Sequence, residues 1–228
     1  MHYYDCPCDE CRQASDGALY ERLITLIERL EAELDRPRIA EYDRALAWLA
    51  SACGGHDAVL ALTGAPLGGD VPLPLDARVA EVAQLLRGLA AEHFDAETEV
   101  AFLRCLARVW EIDPGLVTAP VLASYAATGV AWAVGEANGT VGSGRPMTAA
   151  RLKQVLGVPS APRVYARPIR RALTGPWEWR VETSDWSSTA PDLETLGDSG
   201  LLTARTRQAL IRVRDRALAA RALDREAA

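Results

Sequence analysis

Three cysteines near the start of the chain, Cys6, Cys8 and Cys11, stand in the run Cys-Pro-Cys-x-x-Cys, and a later Cys53 is followed three residues on by His56. Thiolates this close in sequence can converge on one soft cation, and a distant Cys or His can complete a tetrahedral zinc set. Both groups fall in stretches containing Gly or Pro, where metal knuckles are usually built. The pattern lacks a second Cys-x-x-Cys, so an iron–sulfur cluster and plain reduced thiols stand beside zinc as readings. Cys105, beside Leu103 and Leu106, falls on an apolar helical face and reads as core filling.

The second chemistry is cationic. Residues 1–144 carry 10 Arg and 22 Asp+Glu, a net charge of −12, whereas residues 145–228 carry 15 Lys+Arg and 9 Asp+Glu, a net +6. A cationic stretch joined to an acidic one suits a polyanionic ligand. The basic residues are 24 Arg and one Lys, so a single Arg says little about function here, but the local net charge is untouched by that bias. The residues that would meet phosphates are Lys153, Arg163, Arg167, Arg170 and Arg171, with Arg205 and Arg212 on the last helix. The rival reading is that the same arginines grip an acidic protein, or the chain's own acidic part.

Two short helices around a Gly turn must present the first group. Thr148 is a good N-cap, Leu152, Val155 and Leu156 form the apolar side, and Gly157 can take the left-handed conformation that stops a helix, with Val158 beneath the turn. A second helix is expected from Ala161 to Leu173, with Val164, Ile169 and Leu173 inward. The run TAARLKQVLGV resembles the first helix and turn of the helix-turn-helix superfamily, a likeness covering about 25 residues. The resemblance implies that Arg163, Arg167, Arg170 and Arg171 lie on the face a recognition helix turns to phosphates and base edges. Two departures stand out. The interval from Gly157 to Val164 is one residue longer than usual, and Pro162 and Pro168 both fall in the second helix. Pro162 suits a first turn, whereas Pro168 is expected to kink or break the helix. Trp177 to Val181 would then serve as a wing.

Elsewhere the apolar spacing is mostly helical. Leu19, Leu23, Ile27, Leu30 and Leu34 mark a helix that stops at Arg36-Pro37, followed by helices at 39–52, 75–93 and 95–110. The Gly- and Pro-rich linker after residue 53 is expected to hold at most a short strand or turn at Val59–Leu62. Pro114 to Gly135 is 22 residues without charge, but its Pro, Gly, Ser, Thr and Ala content suits a buried core helix over 117–137 better than a membrane span. The aromatic and β-branched run WEWRVETSDW reads as a strand or hairpin. A last helix, 201–223, would bury Leu210, Val213 and Ala217, with Arg205, Arg212 and Arg216 on one flank and Arg207, Arg214 and Arg221 on the other.

Catalytic signatures are weak. The segment Gly139 to Pro146 resembles a phosphate-binding loop, but Arg145 replaces the Lys, Pro146 replaces the Mg²⁺-holding hydroxyl, and a helix rather than a strand precedes it. It reads as a hinge. The histidines, His2, His56 and His93, accompany no nucleophile motif. Trp48, Trp110 and Trp132 suit the core, while Trp177, Trp179 and Trp186 could also stack on unpaired bases. The first twenty residues have neither the cationic start nor the apolar core of a secretory signal.

These observations describe a mostly α protein: an acidic multi-helix N-terminal domain (residues 1–140) with a zinc-competent Cys cluster, then a basic helix-turn-helix or winged-helix-like domain with a C-terminal helix (141–228). The expected function is non-enzymatic binding of DNA or RNA in the cytoplasm, as a regulator or beside other protein subunits, with no membrane involved. An adaptor whose basic part holds an acidic partner is the alternative.

Overall fold

The spacing of apolar residues by threes and fours carries most of the chain into helix. The structure is a computed structural model, and it describes residues 20–29, 40–174 and 195–227. Helix α1 covers residues 20–29. It is followed by α2 (Glu41–Cys53), α3 (His56–Leu60), α4 (Ala77–His93), α5 (Ala96–Ile112) and α6 (Gly115–Thr118). Then come α7 (Ala123–Ala137), α8 (Ala149–Leu156), α9 (Pro162–Thr174), a 3-10 turn at Ser199–Leu201 and α10 (Ala204–Ala227). No strand occurs among the described residues, and a backbone bridge links Val141 to Met147. None of the described helices is long and apolar enough to cross a membrane.

The chain divides into two compact units, residues 1–40 and 41–228. In the first, α1 presents Tyr20, Leu23, Ile24, Leu26 and Ile27 exposed.

In the second unit α7 is the hub. Every residue from Ala126 to Ala137 is buried, and α4, α5, α8 and α9 pack on it. Its small side chains are what allow neighbours so close. A Cβ on Gly129 would stand 2.6 Å from the carbonyl oxygen of Tyr165 on α9, and one on Gly135 would run into Val141. The uncharged stretch is thus a core helix, but it starts late: Pro120 lies in the break between α6 and α7. Helix α10 packs on α2, and its Leu210, Val213 and Ala217 are buried. Elements from the acidic and the basic stretch therefore share one core.

Several ends are fixed by side chains. Asp76 accepts from the N–H groups of Arg78 and Val79 at 2.8 and 3.2 Å, and Asp95 accepts from Thr98 at 2.8 Å, so α4 and α5 begin on true caps. Residues expected as a short strand or turn at Val59–Leu62 overlap the end of α3 instead. Arg214 explains why that helix can end there, because its Nη1 donates to the carbonyls of Val59, Leu60 and Leu62 at 3.2 to 3.4 Å. Gly139 to Pro146 forms a turn closed by the N–H of Gly142 on the carbonyl of Met147, 3.0 Å, not a phosphate cradle ahead of a helix. The expected hairpin, with Trp177, Trp179 and Trp186, lies outside the described residues.

Candidate nucleic-acid interface

The α8–turn–α9 unit forms where the sequence places it. Thr148 Oγ1 accepts from the N–H of Arg151 at 3.2 Å, and Gly157 ends α8 in the left-handed conformation with φ 63°. Leu152, Leu156 and Val158 are buried under the turn. Helix α9 then begins at Pro162, whose missing N–H is no loss in a first turn.

Of the kink or break expected at Pro168, the break does not occur, since α9 runs on through it. Its ring removes one hydrogen bond, to the carbonyl of Val164, and Val164 is 61% exposed, so water can satisfy that carbonyl. Burial of Pro162, Ala166 and Ile169 against the α7 side holds the helix on both sides of the proline. The inward face is also corrected: Val164 is exposed, Ile169 is buried and Leu173 is partly so, because Val164 and Ile169 lie five residues apart, roughly 140° around the helix.

The candidate arginines divide. Arg163 Nε and Nη2 donate to Glu136 Oε1 at 3.3 and 3.0 Å, and Arg170 Nη2 donates to Glu136 Oε2. The Glu136 side chain is 8% exposed and that of Arg170 is 15% exposed, so this pair is largely withdrawn from water. Arg163 keeps most of its surface in solvent. Arg167 and Arg171 are exposed, as is Arg151 on α8, and Lys153 is half-buried. A lone carboxylate in a helix otherwise without charge is the signal for such an anchor, because a buried acid needs a cation. Glu136 carries that signal in the sequence.

On α10 the two flanks behave differently. Arg207 is buried, with Nη2 donating to the carbonyl of Ala65 and lying 3.5 Å from Glu97 Oε1. Arg214 caps α3 as described, and Arg221 stands 3.8 Å from Asp43 on α2. Arg205, Arg212 and Arg216 on the other flank are exposed. Glu97 Oε1 also accepts the N–H groups of Leu67 and Ala204, each at 2.7 Å, which fixes the start of α10. Asn138 adds to this by accepting the N–H of Thr203 at 2.7 Å and donating to the carbonyl of Leu201 at 3.0 Å.

The proposed metal ligands are only partly described. Cys6, Cys8 and Cys11 lie outside the described residues. Cys53 is 2% exposed in the core, whereas His56 is exposed at the start of α3. Burial, with Asp198 adding to it, pushes the Cys53 thiol up to about 11. Among the described residues no three His, Cys, Asp or Glu side chains form a group that could hold a metal ion. Cys105 is fully buried, and burial pushes its thiol to about 12, as befits core filling. In comparisons with known proteins, no family model, no curated protein and no solved structure matches the chain.

Proposed function

We propose that the exposed side of α8 and α9 binds nucleic acid through its phosphates, without catalysis. One observation carries this reading. Residues 137–177 contain no acidic side chain, and the described part of that stretch, up to Thr174, holds seven basic ones. Arg163 and Arg170 turn to Glu136, yet Arg145, Arg151, Lys153, Arg167 and Arg171 have no acid within their own segment. The whole chain is net −6, so a phosphate backbone would be repelled unless it met this surface in particular. Arg205, Arg212 and Arg216 form a second exposed strip on α10, whose opposite flank is engaged by the protein itself. Arg167 and Arg171 are the residues most suited to touch phosphate, with Arg151 and Lys153 beside them.

The test uses the full chain, because α8 and α9 share a core with α7. Duplex and single-stranded DNA and RNA are titrated over a range of salt concentrations. Affinity that falls steeply with salt supports the reading, and absence of binding at low salt to all four overturns it.

A further inference from the structure

Beside the basic face, α6, α7 and α9 enclose an open groove of about 340 Å³ that no charged side chain lines. Leu116, Pro120, Tyr125, Val164, Tyr165 and Pro168 form its walls, and the Tyr125 and Tyr165 rings stack with centroids 5.0 Å apart. The apolar surface extends past the groove: Val121 is 81% exposed and Leu122 is 49% exposed where the chain leaves Pro120 for α7. An exposed apolar concavity of this kind marks a binding surface more often than an accident of packing. We propose that this groove docks an acidic amphipathic helix of another protein.

The occupant follows from charge and shape. Residues 114–135, which include the α6 and α7 walls, carry no charge, so charge selection comes from neighbouring elements: from α9, and from Arg78 on α4, whose Nη2 donates to the carbonyl of Val121 at 3.5 Å. On α9, Arg167 follows Val164 by three residues and Arg171 follows Pro168 by three, which places both guanidinium groups along the α9 rim on one helical face. Both are exposed. The nearest acid on the α6 side, Asp113, uses Oδ1 to accept the N–H of Gly115 at 2.9 Å. A guest helix with apolar residues spaced by threes and fours would fill the groove, and Asp or Glu beside them would reach the arginines. A nucleobase is a poorer guest, because the lining offers no charged or amide group to read its edge. The inference does not rest on the nucleic-acid reading, although both use Arg167 and Arg171; what is particular to it is Val164, Pro168 and the groove walls.

The test pairs the full chain with a synthetic helical peptide bearing Leu at i, i+3, i+4 and i+7 and Glu on its flanks, followed by fluorescence anisotropy. A copy with Lys for Glu is the control. The Glu peptide is expected to bind at least about tenfold tighter than the Lys copy, and V164S/P168Q is expected to weaken it by about tenfold or more. Both substituted positions are exposed and Pro168→Gln restores a helical N–H, so the variant should fold, as circular dichroism would verify. Because neither change removes a charge, the salt dependence of nucleic-acid binding should stay as in wild type, which separates failure of one idea from failure of the other. Equal binding of the two peptides, or no effect of V164S/P168Q on the Glu peptide, overturns the proposal. So does self-association of the chain that the same variant abolishes, since the groove would then belong to a second copy.

Discussion

At Arg170 a guanidinium and a carboxylate have left water together, and each makes the other expensive to remove. Arg170→Ala would leave Glu136 in the core with, among the described residues, Arg163 to balance it, and Arg163 is mostly in solvent. Loss of about 3 kcal/mol in urea unfolding is expected, since breaking one side of a buried pair strands the other charge. Arg167→Ala, at an exposed position, should change stability by less than about 0.5 kcal/mol and weaken phosphate binding instead. Comparable unfolding losses for the two variants would contradict the division drawn between them. The buried thiols give a second check. Cys53 and Cys105 are held neutral well above the ordinary thiol value, so in native protein near pH 8 they should resist alkylation that proceeds readily after unfolding. Their folded values exceed the unfolded one, so their contribution to stability is present below about pH 9. It is lost as pH climbs toward 11 and 12. Of these features, the core role of Cys105 was legible from its apolar neighbours. The arginines facing Glu136 were not, because position on a helix face does not tell which neighbouring helix supplies a carboxylate.

Helix ends obeyed local chemistry, whereas helix interiors answered to their neighbours. Thr148, Asp95 and Gly157 act as the caps and stop their types suggest, since these effects need only a few adjacent residues. The break expected at Pro168 and the inward place expected of Val164 both fail in a helix interior. Packing of Ala166 and Ile169 against the core outweighs one missing hydrogen bond, and Val164 stands roughly 140° around α9 from the buried Ile169, on the exposed side. Likewise, α3 is too short for periodicity to reveal, and it relies on Arg214 from far along the chain. Two substitutions probe this scale. Gly129→Ala must push its new methyl against the Tyr165 carbonyl and the Ile169 side chain, which should separate α7 from α9 and cost about 1–3 kcal/mol. Gly157→Ala meets no neighbour within 4 Å, so its cost is conformational only, about 1–2 kcal/mol. Thermal or urea unfolding measures both. A neutral Gly129→Ala would mean that α7 and α9 are less closely packed than described.

For the whole molecule, segregated charge has two uses that the sequence alone could not separate. Part of the basic stretch holds the protein to itself: Arg163 and Arg170 reach Glu136, Arg207 reaches Glu97, and Arg214 reaches the carbonyls at the end of α3. Arg151 on α8, Arg167 and Arg171 on α9, and Arg205, Arg212 and Arg216 on the outer flank of α10 face solvent. A count of net charge sums both populations, and only the three-dimensional arrangement sorts them. The central claim is that the α8–α9 population meets phosphates. Its most direct test is the slope of log affinity against log salt for labelled duplex DNA, measured on full-length wild type, R151Q/R167Q/R171Q and R205Q/R212Q/R216Q. The account predicts that the first triple variant stays folded, binds more weakly, and loses about 0.9 of slope for each phosphate contact removed, with a smaller change in the second. A folded R151Q/R167Q/R171Q protein with wild-type affinity and slope would contradict it.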